Sequence, residues 1–290
     1  MPGTLFVVAT PIGNLEDLSM RALRVLRGVQ LVAAEDTRRT AKLLSHYQIR
    51  SPMVSLREHN EHRETPRLLA RLAAGDSIAL VSDAGTPTIS DPGRDLVNAA
   101  RRQGYPVVPI PGPSAVTTAL AASGFPAERF LFLGFPPRTG TARTEWLETM
   151  SAEPGPVVCF EAPTRIEATL RDMMAMVVKR PILVCRELTK MHEELVEYSN
   201  LTPVQPVGEF TLVVGPRDPA TIADSFKLDP ALIAQMVHAL VEATHVSRQD
   251  AEAMAAKALG LKPFQIKNII KKHGISVKRQ KSSGEAGDPS

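Results

Sequence analysis

The chain has 290 residues, 43% hydrophobic and 22% charged, with a formal net charge of +3, enough apolar material for two ordinary domains plus a small appendage, which excludes wholesale disorder. No apolar run approaches the roughly 20 residues of a membrane-spanning helix, and MPGTLFVVATPIG lacks a basic n-region and a cleavage site, so a cytoplasmic location without membrane partners is expected. Cys159 and Cys185 each lie inside an apolar run, VVCFE and ILVCRE, and are read as reduced thiols in buried strands.

In chain order, TLFVVAT, LVAAE, MVSL, SIALVSD and PVVPIP have the apolar character of strands. Between them run amphipathic stretches such as LSMRALRVLRG and TPRLLARLAAG, the latter with Leu68, Leu69 and Leu72 at helical spacing, Pro66 suited to a first turn and Gly75 to a stop. This alternation predicts an α/β domain over residues 1–118. A second series starts near Arg129: RFLFLGF, PVVCFEA, PILVCREL and EFTLVVG as strands, TARTEWLETM and TRIEATLRDMMAMVV as helices. It predicts a second α/β domain over 119–218, with the boundary in AVTTALAASGFPAE. Beyond VVGPRDP only helical patterns remain, and three short helices over 229–278 resemble a helix-turn-helix unit, with Ser247 placed to cap the second and Asp250 in its first turn. Residues 279–290 have nothing to bury and read as disordered. From Ala253 to Gly284 there is no acidic residue but eight lysines and arginines, a candidate phosphate-contacting surface that includes Lys267, Lys271 and Lys272.

The segment most suggestive of chemistry is ALVSDAGTPTISDPG, Ala79 to Gly93. A strand ends there in small residues, which let backbone approach a ligand at the carboxyl edge of a parallel sheet; the alternative is an ordinary strand-to-helix turn. TPIGNLEDLS and PIPGPSAVTTAL also follow strands and repeat the pattern. AEDTRRT places Glu35 and Asp36 beside Arg38 and Arg39, to contact substrate or merely to cap a helix. His59 and His62 could form a metal or acid/base pair, but a charged, solvated segment fits REHNEHRE better. The chain has no GxxxxGKS, no GxGxxG after its first strand, no HExxH and no CxxC, so neither a phosphate loop nor a metal centre is expected.

Taken in order, TPIGNL, AEDTR, SDAGTPTISDPG, PGPSA, RELTK and GEF resemble the bacterial ribosomal RNA small subunit methyltransferase I family, part of the tetrapyrrole (corrin/porphyrin) methylase superfamily. The resemblance covers roughly Leu5 to Gly215, and the helical tail is similar to a helix-turn-helix piece many members carry. It implies a homodimer of two α/β domains with a cleft between them for S-adenosylmethionine, converted to S-adenosylhomocysteine without a metal. It further implies methylation of a cytidine ribose 2'-hydroxyl in the decoding region of 16S rRNA, within the small ribosomal subunit. The cofactor contacts implied are Pro11, Ser82, Asp83, Ala84, Gly85, Thr86, Ile89, Ser114 and Ala115, with Phe160 and Leu188 added from the second domain. Two departures stand out: Thr164 where the family usually has histidine, and an abbreviated segment between RELTK and GEF.

Methyl transfer from a sulfonium to an alcohol is an in-line displacement governed by alignment, helped by a group that takes the hydroxyl proton. Asp36, Glu161, Glu187 and Lys190 are the candidates. Glu187 and Lys190 are preferred because RELTK closes a strand of the second domain, a structural ion pair being the other reading. Asn14, Arg38, Arg57, Asn60 and Arg165 join the tail lysines as candidate RNA contacts. Aromatics are only 4% of the chain, so specificity should rest on shape and on the assembled particle. Two alternatives stay open: a methyltransferase of the same fold acting on a corrinoid, porphyrin or modified histidine, and a non-catalytic ribosome-assembly protein. The basic tail and AEDTR favour RNA over a small substrate, and the SDAGTP and PGPSA segments favour an enzyme over a pure binder.

Overall fold

The computed structural model describes residues 1–177, 180–199, 203–217, 230–259 and 262–272. Two compact units emerge, Met1–Pro216 and Arg217–Ser290; both predicted α/β series fold within the first.

Strands β1 (Leu5–Val8), β2 (Leu31–Ala34), β3 (Met53–Ser55), β4 (Ile78–Val81) and β5 (Val107–Ile110) form a wholly parallel sheet in the order β3-β2-β4-β1-β5. Its residues alternate between two cores. Val8, Val32, Ala34, Ala79 and Val81 pack with helices α1 (Met20–Gly28) and α2 (Thr37–His46). Leu5, Leu31, Ala33, Ile78 and Leu80 pack with α3 (Glu61–Ala73) and α4 (Arg94–Arg102). Burial on both faces explains why β2 and β4 read as unbroken apolar runs. The chain leaves β1 through α1 towards β2 on one side, and leaves β4 through α4 towards β5 on the other. Such a switch opens a crevice at the carboxyl ends of β1 and β4.

The stretch expected to hold the domain boundary contains helix α5 (Ala115–Ser123), whose small apolar residues pack onto the second sheet. That sheet, in the order β6-β7-β10-β8-β9, comprises β6 (Leu131–Phe132), β7 (Val157–Glu161), β8 (Ile182–Arg186), β9 (Glu194–Glu197) and β10 (Phe210–Val214). Only β6 and β7 pair in parallel. Val116, Ala119 and Leu120 of α5 meet Val158, Cys185 and Val213 on one face. Helices α6 (Thr141–Ala152) and α7 (Ile166–Met176) bury Trp146, Met150, Leu170 and Met173 on the other, against Cys159 and Leu212. The two cysteines are therefore free and buried in different cores. Burial pushes the Cys185 thiol up to about 12 and raises Cys159 as well, so neither is a nucleophile at neutral pH. The segment read as abbreviated contributes β9, a charged edge strand paired to β8.

In the second unit α8 (Pro230–Thr244), α9 (Arg248–Ala258) and α10 (Pro263–Lys272) share a core of Ile233, Val237, Ala251, Ala255, Ile266 and Ile270. Ser247 caps α9, its hydroxyl accepting from the Asp250 N–H at 3.2 Å while donating to the Asp250 carboxylate at 2.6 Å. The 279–290 segment expected to be disordered, and the lysines beyond Lys272, lie outside the described residues. Among the described residues no helix is long and apolar enough to cross a membrane.

Candidate active site

A cavity of about 410 Å³ lies where the carboxyl ends of the parallel strands face the end of β7 and the start of β10, a size within the range of small-molecule sites. Three turns are fastened together to make one wall. Thr10, just past β1, exchanges two backbone hydrogen bonds with Gly85, past β4, at 2.9 and 3.0 Å. The Thr86 hydroxyl donates to the Pro113 carbonyl at 3.2 Å, joining the turn after β5. Gly85 has φ +80, a conformation that a side chain resists. Ile12, Ala84, Gly85, Thr86, Ser114, Ala115 and Val116 line this wall. The Ser114 side chain makes no capping hydrogen bond to α5, so that helix presents first-turn N–H groups without a side-chain acceptor.

The loop from Thr86 to Gly93 carries unusual backbone. Thr88 and Ser90 adopt φ +74 and +63, a region that non-glycine residues rarely enter and that concentrates at functional sites. Gly93 has no side chain to cap α4, and Glu61 of α3 does so instead, accepting from the N–H groups of Asp95 at 2.8 Å and Leu96 at 3.3 Å.

Glu35, Asp83 and Asp91 bring three carboxylates to the same end of the cavity, beside Arg39. Asp83 accepts the Asp36 N–H at 2.9 Å and pairs with Arg39 at 3.5 Å. Glu35 accepts the Asp83 N–H at 3.2 Å; burial raises its pKa, and the Asp83 charge adds to the effect. Asp91 is pushed up to about 7, first by burial and then by the Glu35 and Asp83 charges, against a lowering hydrogen bond from Ser82.

The opposite wall consists of Phe135, Phe160, Glu161, Ala162, Pro163, Gly208, Glu209, Phe210 and Thr211. Phe160 packs on Phe132 and Phe135 with ring centroids 5.1 and 5.5 Å away, leaving Phe135 half exposed. Glu161 is buried but fully engaged: Arg165 at 2.6 Å, the Ala162 N–H at 2.7 Å and the Thr169 hydroxyl at 2.5 Å.

Of the residues singled out from sequence, Asp83, Ala84, Gly85, Thr86, Ile89, Ser114, Ala115, Phe160 and Glu161 line the cavity. Pro11, Ser82 and Leu188 stand behind it: Pro11 is buried, the Ser82 hydroxyl bonds to the Ala84 and Gly85 carbonyls, and Leu188 packs with Ile12 and Val116. Glu187 and Lys190 do not line it. They pair at 2.7 Å, with Lys190 also 3.0 Å from Glu209 and the Glu209 N–H donating to Glu187 at 2.8 Å. This network holds the turn after β8, where Glu187 and Thr189 take φ +52 and +66, against Gly208.

Asp36 lies outside the lining too. It caps α2 through the Arg38 N–H and pairs with the Arg38 guanidinium at 2.7 Å, which holds its carboxyl well below the usual range. Arg57 lies 3.9 Å from Asp36 and donates to the Glu35 carbonyl. Asn60 accepts the Arg57 N–H and donates to the Ser55 carbonyl, while Asn14 caps the 3-10 turn Leu15–Asp17 and its N–H donates to Thr189 at 3.0 Å. Thr164 is exposed and off the cavity. In the helical unit Lys267 and Lys271 share a groove with Arg248, Gln249 and Glu252; Lys272 ends α10. Among the described residues no group of His, Cys, Asp and Glu could hold a metal, His59 and His62 included.

Sequence reasoning gave no site role to Asp91, Phe135, Gly208 or Glu209 individually, and left Glu35 and Arg39 between substrate contact and helix capping. Asp91 had a signal in SDPG, the second half of the glycine-rich loop. Glu35 stood out in AEDTR, but only the geometry at the end of β2 turns it inward and sends Asp36 to the helix cap.

The fold and cavity define a methylase-type two-sheet enzyme, and the family model Tetrapyrrole (Corrin/Porphyrin) Methylases matches residues 4–201. The crystal structure of uroporphyrin-III C-methyl transferase from Thermus thermophilus complexed with S-adenyl homocysteine superposes with a TM-score of 0.52. It covers 73% of this chain and 97% of that one at 18% identity, a likeness of fold. Ribosomal RNA small subunit methyltransferase I of Thermotoga maritima is 44% identical over 222 residues, 74% of this chain and all of that protein. The protein of the same name from Haemophilus influenzae is 38% identical over 285 residues, 95% of this chain and 98% of its own. The chain belongs to the ribosomal RNA small subunit methyltransferase I family of the tetrapyrrole methylases.

Proposed function

We propose that this chain is an S-adenosylmethionine-dependent rRNA methyltransferase that methylates a cytidine ribose 2'-hydroxyl in the decoding region of 16S rRNA, acting as a homodimer on the small ribosomal subunit. The supporting observation is the cavity at the sheet switch point, walled by three tied turns of small residues, in a chain of this family. The residues present suit the cofactor. Gly85 and Ala84 leave room for close backbone approach, and the N–H groups that open α5 beside Ser114 and Ala115 suit a carboxylate. Phe160 and Ile89 offer apolar surface for an adenine. When bound, the cofactor supplies an electrophilic methyl on a sulfonium; the chain's own contribution is to align the acceptor oxygen and to manage its proton.

The exposed guanidinium of Arg38, with Arg57 close by, flanks the acidic end of the cavity, suited to the phosphates either side of a target nucleotide. Lys267 and Lys271, exposed on α10, suit a second set of phosphates. Calorimetric titration with S-adenosylhomocysteine tests the cofactor reading. Mapping ribose methylation on small subunits from a deletion strain, with and without added protein, tests the substrate. No binding, or subunits whose ribose methylation is the same in both, would overturn it.

A further inference from the structure

Five carboxylates line the cavity; three of them lie within 4 Å of a cation, and Glu35 and Asp91 make no ion pair among the described residues. Glu161 is held by Arg165 and Thr169, and Glu209 by Lys190. Asp83 pairs with Arg39, and Glu35 accepts the Asp83 N–H while feeling the Arg39 and Arg57 charges. Asp91 makes no ion pair among the described residues; its neighbours are the Ser82 hydroxyl and the carboxylates of Glu35 and Asp83. Its place is nonetheless imposed. The left-handed Ser90 precedes it, and Gly93 two residues on is packed so closely that a methyl there would lie 2.6 Å from Leu80 Cδ2. The α4 terminus just beyond is held by Glu61.

We propose that the Asp91 carboxylate takes the proton from the attacking ribose hydroxyl, a role that rests on reading the cavity as a methyl-transfer site. As the O–H bond breaks, its proton passes to Asp91 and the oxygen lone pair forms the new O–CH3 bond. The S–CH3 bond breaks with its electron pair returning to sulfur, leaving a neutral thioether and a methyl ether. Protonated Asp91 then releases its proton to water. The surrounding charges favour this role, since Glu35 at the end of β2 and Asp83 at the end of β4 make Asp91 a stronger base, while Arg39 of α2 is turned to Asp83. The balance places the Asp91 proton affinity near neutrality, at about 7, where a general base is most useful.

The test is single-turnover methyl transfer from labelled S-adenosylmethionine to small subunits from a deletion strain, between pH 5.5 and 9, with calorimetric binding of S-adenosylhomocysteine alongside. Wild type should speed up about tenfold per pH unit below 7 and level off above it. Asp91→Asn should be slower by about a hundredfold or more at pH 8, should lose that limb, and should still bind S-adenosylhomocysteine within about threefold. Glu35→Gln should move the limb to lower pH, because it removes a charge that adds to burial in raising Asp91. An Asp91→Asn protein within fivefold of wild type, or one whose rate loss follows weakened binding, overturns the proposal. So does a Glu35→Gln limb that stays in place. Wild type that binds no cofactor or transfers no methyl overturns the functional reading itself.

Discussion

Gly13→Ala probes the joint between the two sheets. Gly13 sits in the turn after β1, where an added methyl would lie 2.4 Å from Lys190 Cγ, 2.7 Å from Thr189 Oγ1 and 2.9 Å from the Leu188 carbonyl oxygen. None of these can yield easily. Leu188 presents backbone, Thr189 holds the Asn14 N–H, and Lys190 is anchored by Glu187 and Glu209. Overpacking of this kind costs about 1–3 kcal/mol, and losing the Asn14–Thr189 bond adds about 1 kcal/mol. For a unit of this size each kcal/mol is worth roughly 2–4 °C, so melting should fall by roughly 5–15 °C. Because Ile12 of the same turn lines the cavity, affinity for S-adenosylhomocysteine should fall too. Gly28→Ala is the control: it ends α1 with nothing within 4 Å of the added methyl, and helix propensity makes it neutral or stabilising by up to about 1 kcal/mol. Circular dichroism melts of both variants with calorimetric titration decide the matter. A Gly13→Ala protein melting with wild type and Gly28→Ala would refute the close-approach argument.

Asp91→Asn should also leave a stability signature. Its folded proton affinity is raised, so the carboxylate weakens the fold progressively as pH rises from the unfolded value of about 4 through about 7. The asparagine variant should match wild type near pH 4 in urea melts and exceed it at pH 8 by about 1–2 kcal/mol, discounting for solvent screening; equal stability at both would mean the group is not raised. Arg180 is buried and donates to the carbonyls of Met150, Glu153, Gly155 and Gly215. Arg180→Ala strands those acceptors and should cost about 3 kcal/mol or more in denaturant melts. Replacing both Lys267 and Lys271 with alanine should flatten the plot of log affinity for small subunits against log salt by up to about 2, with cofactor titrations unchanged.

The sheet elements were readable because β2, β4, β7 and β10 are continuous apolar runs, the pattern of strands covered on both faces. β9 escaped because an exposed edge strand such as Glu194–Glu197 carries charge and little alternation. The stretch Ala115–Ser123 forms a helix whose small residues let it lie closely on β10. The ordered motifs placed the turns of the cavity wall, since glycine, proline and serine mark where backbone must turn tightly or admit a ligand.

The chemistry of individual carboxylates was another matter. Glu35 and Asp36 are adjacent, yet one faces the cavity and the other caps a helix. Glu187 and Lys190 stood between proton acceptor and structural ion pair, and folding pairs them with each other, while Glu161 is held by Arg165. Asp91 stood only as a helix-opening residue of the candidate cofactor loop. What the amino-acid order determines by itself is local: which segments bury, where the chain turns, and which family it belongs to. Which acids are left without an ion pair among the described residues depends on groups as far apart in the chain as Glu35 and Asp91, because electrostatic fields act through space and only the tertiary structure sets those distances.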